Sequence, residues 1–433
     1  SFNVNRMERI IGMNIKKDII KVFTSNVINL LIGIVMSFLV PTFLSLDQYA
    51  FLKTFTLYVG YVGILHFGFN DGIYIKYGGK QQDEIDKEEL KGEHKFIFLF
   101  QLAITIIMCV IGFLINDMVL VAFSICILPM NLQSLFRFLY QALGEFNIYS
   151  KIMVIPSILL LLINLFNIYI LKINNSWPFI LGNIIVYYLV FIVLELHYLK
   201  NNKNVSAKIE YSEITKHFKV GFVIMIANLS IMFFYSIDRW FVKYFLPIED
   251  FAFYSFAISM LNVVNIIINS ITLTLYPYLS RNQEQVMINK LKKYFIIIGT
   301  LASGAYFCFD FIISKFLSKY VSSLSIISIL FMAYPAIIVI NAIYINLYKS
   351  RKLEKEYAFT VFKMLILSII LNYLAIFINK SSLSIAAATT LSFYVWYFYS
   401  KKDFKEIKID RFEILYLFLS TIVFLFVNNK FNW

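Results

Sequence analysis

Charged residues are scarce in this sequence of 433 residues. Asp, Glu, Lys and Arg make up 15% of it, whereas apolar residues make up 60%. Soluble domains contain about 25% charged and about 45–50% apolar residues, and a folded surface needs polar cover. The scarcity excludes a soluble enzyme, a soluble nucleic-acid-binding protein and a disordered chain. We therefore expect a protein that crosses the membrane several times.

Cysteine and histidine are also rare, with three and four copies. Cys109, Cys126 and Cys308 are odd in number and fall within apolar runs, so they predict neither a disulfide framework nor a metal site. The loops are short as well, and the longest lie near 77–95 and 200–218. The charge-dense stretch 80–95 predicts a solvated helix or linker. An integral membrane enzyme would need a clustered acid–base set near one membrane face, and the sequence offers none.

Long apolar runs are abundant instead. A helix that crosses the bilayer core needs about 20 apolar residues, and runs of this length exclude barrel strands. This rule predicts thirteen spans, at 19–45, 50–76, 96–115, 118–143, 150–171, 177–199, 219–243, 250–280, 292–314, 321–348, 357–379, 382–400 and 412–428.

The basic residues are distributed unevenly between the two sets of loops. Of the 39 lysines and arginines, 29 lie in one set and six in the alternating set. Because cytoplasmic loops are enriched in Lys and Arg, the N-terminus is predicted to be cytoplasmic. The net charge of +13 therefore reflects mainly the basic residues of the predicted cytoplasmic loops and does not by itself indicate an anionic partner.

An internal repeat relates the two halves of the chain. Residues 43–54 (FLSLDQYAFLKT) and 245–256 (FLPIEDFAFYSF) align at an offset of about 202, which also pairs Asn26 with Asn228. The repeat predicts two parallel lobes of six spans, and substrate sites of transporters lie at the interface of such repeats. The predicted parts are a cytoplasmic leader (1–18), an N-lobe (19–199), an inter-lobe linker (200–218), a C-lobe (219–400) and a basic loop with an accessory span (401–433).

Polar side chains form stripes inside the predicted spans. In span 8, spacings of three and four residues place seven of them on one helical face. Helix packing explains such stripes, as does the wall of a hydrated cavity, which we favour for span 8. The stripe of span 8 is Ser255, Ser259, Asn262, Asn265, Asn269, Thr272 and Tyr276. The first spans of the two lobes add Asn26, Asn228 and Asp238. Asp238 is expected to pair with a neighbouring base.

Four basic residues lie inside spans rather than in loops: Lys53, Arg137, Arg239 and Lys363. A charge at the centre of the bilayer costs about 2.5–3.5 kcal/mol, although long side chains near helix ends can reach the interface. We expect all four to line one basic lumen that suits an anionic substrate such as a phosphate or pyrophosphate.

Three further residues are candidates for ion coupling: Asp71, Asp310 and His66. A histidine titrates near neutral pH, and a carboxylate could bind a proton or a sodium ion. The alternatives are solvated span ends for the acids and a packing role for His66. No metal and no cofactor are expected, and the driving force is left open between protons, sodium and mass action.

Several motifs together resemble one known family. They are GFNDGIYIKYGG (68–79), FLYQALG (138–144), SIDRWFVKYFL (236–246) followed by FAFYS (251–255), and LYPYLSR (275–281). In this order they resemble the Wzx-type oligosaccharide flippases, which form the polysaccharide-transporter branch of the MOP superfamily.

The resemblance implies an all-α membrane fold with two six-helix lobes around a central cavity. It implies a flippase that moves an undecaprenyl-pyrophosphate-linked repeat unit of O-antigen type across the bacterial inner membrane. Lys53, Arg239 and Lys363 match the family's cationic lumen positions best. The implied partners are this glycan, membrane lipids and other polysaccharide-assembly proteins, and no nucleic acid. A MATE-like drug exporter is the alternative from the same fold, although its cavity would need deeply placed acids; a membrane-embedded polysaccharide-processing enzyme is a third hypothesis.

Overall fold

The computed structural model describes residues 2–80, 82–281 and 284–431. Within them it describes all side chains except those of residues 2–20, 22, 82, 267, 269–278, 280–281 and 428–431. The secondary structure of this part of the chain is 86% helical and contains no strand. The prediction of an all-α membrane fold is confirmed.

The chain forms two compact units, Ser1–Ile226 and Ala227–Trp433. The division falls inside one helix, whereas the sequence places an inter-lobe linker at 200–218, and the predicted lobe boundaries stay a prediction. The helices of the first unit are α1 (Phe2–Phe43), α2 (Leu46–Gly60), α3 (Phe69–Tyr77), α4 (Lys87–Leu114), α5 (Met118–Ala142), α6 (Phe146–Phe166), α7 (Trp177–Asn201) and the first part of α8 (Tyr211–Phe234).

The second unit contains the end of α8 and ten further helices. They are α9 (Ile237–Phe245), α10 (Ile248–Arg281), α11 (Gln285–Ser303), α12 (Ala305–Phe316), α13 (Ser323–Phe331), α14 (Tyr334–Val339), α15 (Ile345–Ser350), α16 (Glu354–Ile378), α17 (Ser382–Tyr399) and α18 (Arg411–Phe431). A π-helical turn, Ile340–Tyr344, joins α14 to α15.

Eight helices of the described chain are long and apolar enough to cross a membrane. Ten spans result if each of two bent helix pairs counts as one. The sequence predicts thirteen, and α10, α17 and α18 lie where the other three are expected. Helices therefore lie at all thirteen predicted runs, and two of the runs are bent helix pairs.

Both bent pairs have a local cause. Between α2 and α3 the chain turns by 60°, and Phe67 and Gly68 there have positive φ angles of 49° and 81°. Between α13 and α14 the bend is 44°, and Pro335 occupies the first turn of α14. Proline cannot continue the helix that precedes it but fits a helix start.

The core of the first unit is built around α5. About 72% of its most apolar stretch is buried, compared with 11–33% for the other helices long enough to cross a membrane. Leu128, Leu132, Leu135 and Leu139 of α5 pack in one cluster with residues of α3, α4, α7 and α8. Their spacing of three and four residues gives α5 its buried stripe. The peripheral helices keep apolar faces outward, as a lipid-facing surface requires.

The stretch 80–95 is mostly exposed at its beginning, as predicted for a solvated helix or linker, but its end is buried. Asp86 caps α4 by accepting hydrogen bonds from the backbone N–H groups of Glu88 and Glu89 at 2.9 and 3.2 Å. The helix therefore begins at Lys87 and carries the end of the charged stretch into the unit. Glu93 is only 3% exposed, because α3 and α8 supply polar partners for it.

Candidate functional site

The second unit contains a polar cavity of about 630 Å³. Its wall comes from the end of α8, from α9, α10, the π-helical turn, α15 and α16. The polar lining consists of two cations, four amides and two phenols: Arg239, Lys349, Asn262, Asn265, Asn341, Asn346, Tyr235 and Tyr357. Four apolar side chains complete the cavity wall: Ile231, Ile258, Leu261 and Ile345. The volume lies within the range of about 300–1,000 Å³ that is typical of small-molecule sites.

Arg239 is held at the cavity wall by the break between α8 and α9. The break leaves the carbonyl of Tyr235 outside the α-helical ladder, and Nη2 of Arg239 donates to it at 3.4 Å. The Nε–H of Arg239 is buried and has no hydrogen-bond partner among the described residues. An unsatisfied buried donor is costly, so a ligand that accepts from it would be stabilised.

Asp238 faces another part of the unit. It is 2% exposed, and its Oδ2 accepts hydrogen bonds from the hydroxyls of Tyr254 at 2.8 Å and Thr389 at 3.4 Å. Its Oδ1 accepts from the backbone N–H of Arg239 at 2.7 Å. The hydrogen-bond partners of Asp238 are thus two hydroxyls and a backbone amide, whereas the sequence led us to expect the side chain of a neighbouring base. Adjacent helical residues lie about 100° apart, so Arg239 reaches the cavity while Asp238 packs against α10 and α17. The cavity-lining role predicted for Asp238 stays a prediction that this geometry does not support.

The polar stripe of α10 is divided along its length. Asn262 and Asn265 line the cavity, and Oδ1 of Asn265 is buried without a partner among the described residues. Ser255 and Ser259 are buried between helices at 4% and 5% exposure. They share the face of Asn262 but lie one to two turns earlier, where α10 packs on its neighbours. The side chain of Asn269 lies outside the described residues.

Five polar lining residues were not selected from the sequence: Tyr235, Asn341, Asn346, Lys349 and Tyr357. Residues five apart lie about 140° apart on an α-helix, so Asn341 and Asn346 do not form a stripe by α-helical spacing. The π-helical turn Ile340–Tyr344 changes this phase, and both side chains reach the cavity. Such turns are frequent at functional sites. An asparagine pair five apart within an apolar run is the signal that could have found them.

The other predicted cations lie elsewhere. Nζ of Lys363 donates to the Tyr399 hydroxyl at 2.9 Å and lies 4.2 Å from the centroid of the Phe359 ring. Lys53 of α2 lies over the Tyr49 ring at 5.2 Å. Arg137 of α5 and Lys53 belong to the first unit. Arg239 is the predicted cation that lines the cavity described above, and the shared basic lumen stays a prediction.

The remaining candidates are placed as follows. Asn26 and Asn228 are exposed on α1 and α8. Oδ1 of Asp310 accepts from the Ser314 hydroxyl at 3.2 Å in an open groove that Lys315 also lines. Asp71 and His66 meet across the bend between α2 and α3. Their coupling roles stay predictions, as does the absence of a cofactor.

The first unit holds a buried charged cluster that sequence reasoning missed. Oε1 of Glu93 lies 2.6 Å from His217 Nε2 and 2.7 Å from Lys76 Nζ, and its Oε2 accepts from the Tyr77 hydroxyl at 2.7 Å. The cluster opens into a second cavity, of about 480 Å³. In the sequence, Lys76 serves only as a topology marker. Its contacts Glu93 and His217 follow 17 and 141 positions later, and nothing in the residues around Lys76 points to them.

Comparisons with known proteins agree with this architecture. The polysaccharide biosynthesis protein family matches residues 15–283, more than half of the chain. No curated protein sequence matches the chain.

Solved structures with a similar fold have low sequence identity to this chain. The lipid II flippase MurJ, in an inward closed conformation, has a TM-score of 0.71 at 15% identity over 96% of this chain and 93% of that one. A multidrug resistance MATE family transporter of the MOP superfamily has a TM-score of 0.58 in its inward-facing conformation, at 13% identity over 88% and 95%. An outward-facing structure of such a transporter gives 0.51, at 12% identity over 90% and 96%. The chain therefore belongs to the polysaccharide biosynthesis protein family and has the fold of the MOP superfamily.

Proposed function

We propose that this protein is a flippase for lipid-linked oligosaccharides. Its substrate is a glycan repeat unit of O-antigen type on undecaprenyl pyrophosphate, which it moves from the cytoplasmic to the outer leaflet of the bacterial inner membrane. The N-terminus lies in the cytoplasm, and other polysaccharide-assembly proteins supply and receive the glycan. The family match and the fold shared with a lipid II flippase support this proposal.

The polar cavity of the second unit is the observation that carries it. A glycan presents many hydroxyls, each of which donates and accepts a hydrogen bond. The four asparagine amides of the cavity do the same, and the two tyrosines add hydroxyls and flat apolar faces. A glycan headgroup would thus find partners in a protein whose membrane-facing surfaces are apolar.

The two cations of the cavity favour an anionic group on the substrate. Arg239 presents a planar guanidinium that can bind a phosphate or carboxylate with two parallel hydrogen bonds. Lys349 adds a point charge. The described lining contains no Asp or Glu. This charge pattern favours a pyrophosphate or an acidic sugar over the cationic cargo of a drug exporter.

No covalent step is required of the protein. The substrate enters from one leaflet and leaves to the other by alternating access, and the binding energy of the cavity offsets the cost of moving a polar headgroup through an apolar medium. The lipid tail stays in the bilayer throughout. A MATE-like exporter is the alternative that shares this fold.

The test is deletion of the gene followed by analysis of lipid-linked intermediates. The proposal predicts complete repeat units on their lipid carrier, trapped on the cytoplasmic leaflet, and loss of the surface glycan. A normal lipid pool together with altered drug sensitivity would instead establish the exporter.

Variants of the restored gene test the cavity itself. Arg239→Gln is expected to reduce glycan export strongly. Lys243→Gln is the matched control, since Lys243 lies on the same short helix α9 but outside the cavity lining. Equal export by the two variants would remove Arg239 from the substrate site.

A further inference from the structure

Imidazole–carboxylate pairs concentrate in the first unit. Of the four histidines in the sequence, three are buried and each faces a carboxylate. His217 lies 2.6 Å from Glu93, His94 lies 3.0 Å from Glu195, and His66 lies 4.0 Å from Asp71. The fourth, His197, is exposed and contacts Asn201. Buried ionisable groups at membrane helices indicate function by default.

The Glu93–His217 pair has the most complete set of charged neighbours. From α3, Lys76 contacts Glu93 and Tyr77 donates to it; from α4, Glu89 contacts Lys76 at 2.6 Å. From α8, Glu213 contacts Lys76 at 3.3 Å, and Lys216 contacts Glu213 at 3.6 Å. The Phe69 ring packs on the His217 ring, with 5.2 Å between centroids.

One lysine serves three carboxylates in this cluster. Lys76 contacts Glu89, Glu93 and Glu213. A protonated His217 gives Glu93, which is 3% exposed, a second positive partner at 2.6 Å. A buried carboxylate that loses a charged partner is destabilised, so proton occupancy and the packing of this cluster are coupled.

The proton also has a route from water. The charged residues that line the cavity of about 480 Å³ are His217, Lys76, Lys80, Glu89, Glu210, Glu213 and Lys216. Glu210 also contacts Lys208, at 2.5 Å. The imidazole thus touches Glu93 on one side and an open polar cavity on the other. On the predicted topology this cavity faces the cytoplasm.

Three glycines make the packing sensitive to this charge. A Cβ on Gly72 would lie 2.5 Å from the backbone oxygen of His217, and one on Gly221 would lie 1.7 Å from the backbone oxygen of Gly68. Backbones of α3 and α8 are therefore in direct contact beside the Glu93–His217 pair. With no side chain between them to absorb a displacement, a change in the pair acts on the contact of the two helices.

We propose that Glu93 and His217 form a proton-binding site, loaded through this cavity, and that its proton is the ion coupled to transport. The coupling part rests on the proposed flippase function, whereas proton binding at the pair does not. Lys76 and Tyr77 are positioning residues, since they orient the carboxylate without exchanging the coupled proton.

The first test reads protonation directly. The full-length protein in lipid nanodiscs is titrated between pH 8 and pH 5 and followed by infrared difference spectroscopy. In the unchanged protein, a carboxylate band is expected to shift together with the imidazole bands as His217 gains its proton. Glu93→Gln and His217→Gln are expected to remove this joint change, and His197→Gln, the exposed control, is expected to keep it. A joint change that persists in both pair variants overturns the proposal.

A second variant guards against loss of folding. His217→Lys keeps a permanent positive charge beside Glu93, so it is expected to retain the thermal stability of the unchanged protein while losing the joint titration. An unaltered titration in this variant also contradicts the proposal.

The second test reads coupling in cells that lack the chromosomal gene. Coupling between two ligands is typically worth about 5–150-fold, so we expect a protonophore to lower glycan export by the unchanged protein about tenfold. Export by His217→Lys is expected to be low already and insensitive to the protonophore. Equal protonophore sensitivity of both proteins refutes coupling at this site. If deletion traps no lipid-linked glycan, the flippase proposal fails and the infrared titration still decides the proton site.

Discussion

Gly221 of α8 offers the sharpest test of how the first unit is packed. A Cβ added there would lie 1.7 Å from the backbone oxygen of Gly68 and 2.8 Å from the backbone nitrogen of Gly72. Both neighbours are backbone atoms, so no side-chain rotation can make room. Close glycine contacts of this kind drive helix association in membranes. Gly221→Ala must therefore push α3 and α8 apart.

The size of the effect follows from the geometry. Ordinary van der Waals contact begins near 3.4 Å. The oxygen of Gly68 and the new methyl group, 1.7 Å apart, must therefore move apart by about another 1.7 Å. Overpacking of a tight core costs about 1–3 kcal/mol, and we expect the upper end because neither backbone can yield locally. For a unit of 226 residues, about 3 kcal/mol corresponds to a melting temperature lower by about 6–12 °C.

The assay is thermal unfolding of the purified protein in detergent, with Gly33→Ala as the matched control. Gly33 also lies inside a helix, but a Cβ there meets nothing within 4 Å. Alanine favours a helix over glycine by about 0.5–1 kcal/mol, so the control is expected to melt at the original temperature or slightly above it. If Gly221→Ala melts within about 1 °C of this control, the glycine contact between α3 and α8 is not as close as described.

Three further predictions concern the second unit. Arg239→Lys is expected to export more glycan than Arg239→Gln but less than the unchanged protein, because it keeps the charge and loses the planar fork; export equal to the unchanged protein would mean that charge alone matters. Lys292→Met is expected to destabilise the protein by about 3–5 kcal/mol, since it strands the buried carboxylate of Glu413, which lies 2.7 Å from Lys292 Nζ. Adding Glu413→Leu to Lys292→Met is expected to recover most of the loss in melting temperature. A double variant no more stable than Lys292→Met alone would contradict this. Tyr254→Phe removes the 2.8 Å hydrogen bond to buried Asp238 and is expected to cost about 1–3 kcal/mol, whereas an unchanged melting temperature would show that Thr389 suffices.

The fold class could be predicted because a membrane limits the choices. With no water available to backbone groups, long apolar runs have to be helices, and composition alone reveals the runs. The breaks within them are harder to see. The bend at Gly68 depends on a positive φ and on the approach of α8, and the break at Ser236 depends on hydrogen bonds of Asp238 and Arg239. Such features arise from tertiary contacts, which hydropathy does not record.

The cavity could be predicted in part. Arg239, Asn262 and Asn265 were identified because a cation or a regular stripe of amides is conspicuous in an apolar run. Asn341 and Asn346 were not, since a polar stripe is recognised by α-helical spacing and a π-helical turn changes the phase between these two residues. Polar stripes therefore reveal sites built on regular helices, whereas sites where a helix departs from α-helical geometry leave no such stripe in the sequence.

The charged cluster of the first unit exposes a different weakness of sequence reasoning. Lys76 and Glu93 lie at the ends of spans, where topology and solvation explain charges well enough that no further role is sought. A side chain at a span end can nevertheless be buried when a short helix packs beside it after a bend, as α3 does after the 60° bend at Gly68. The fully buried Glu93 has Lys76, Tyr77 and His217 around it because that bend brings α3 against α4 and α8. Charges next to a glycine-rich break in a span therefore deserve a functional hypothesis even when loop counting already accounts for them.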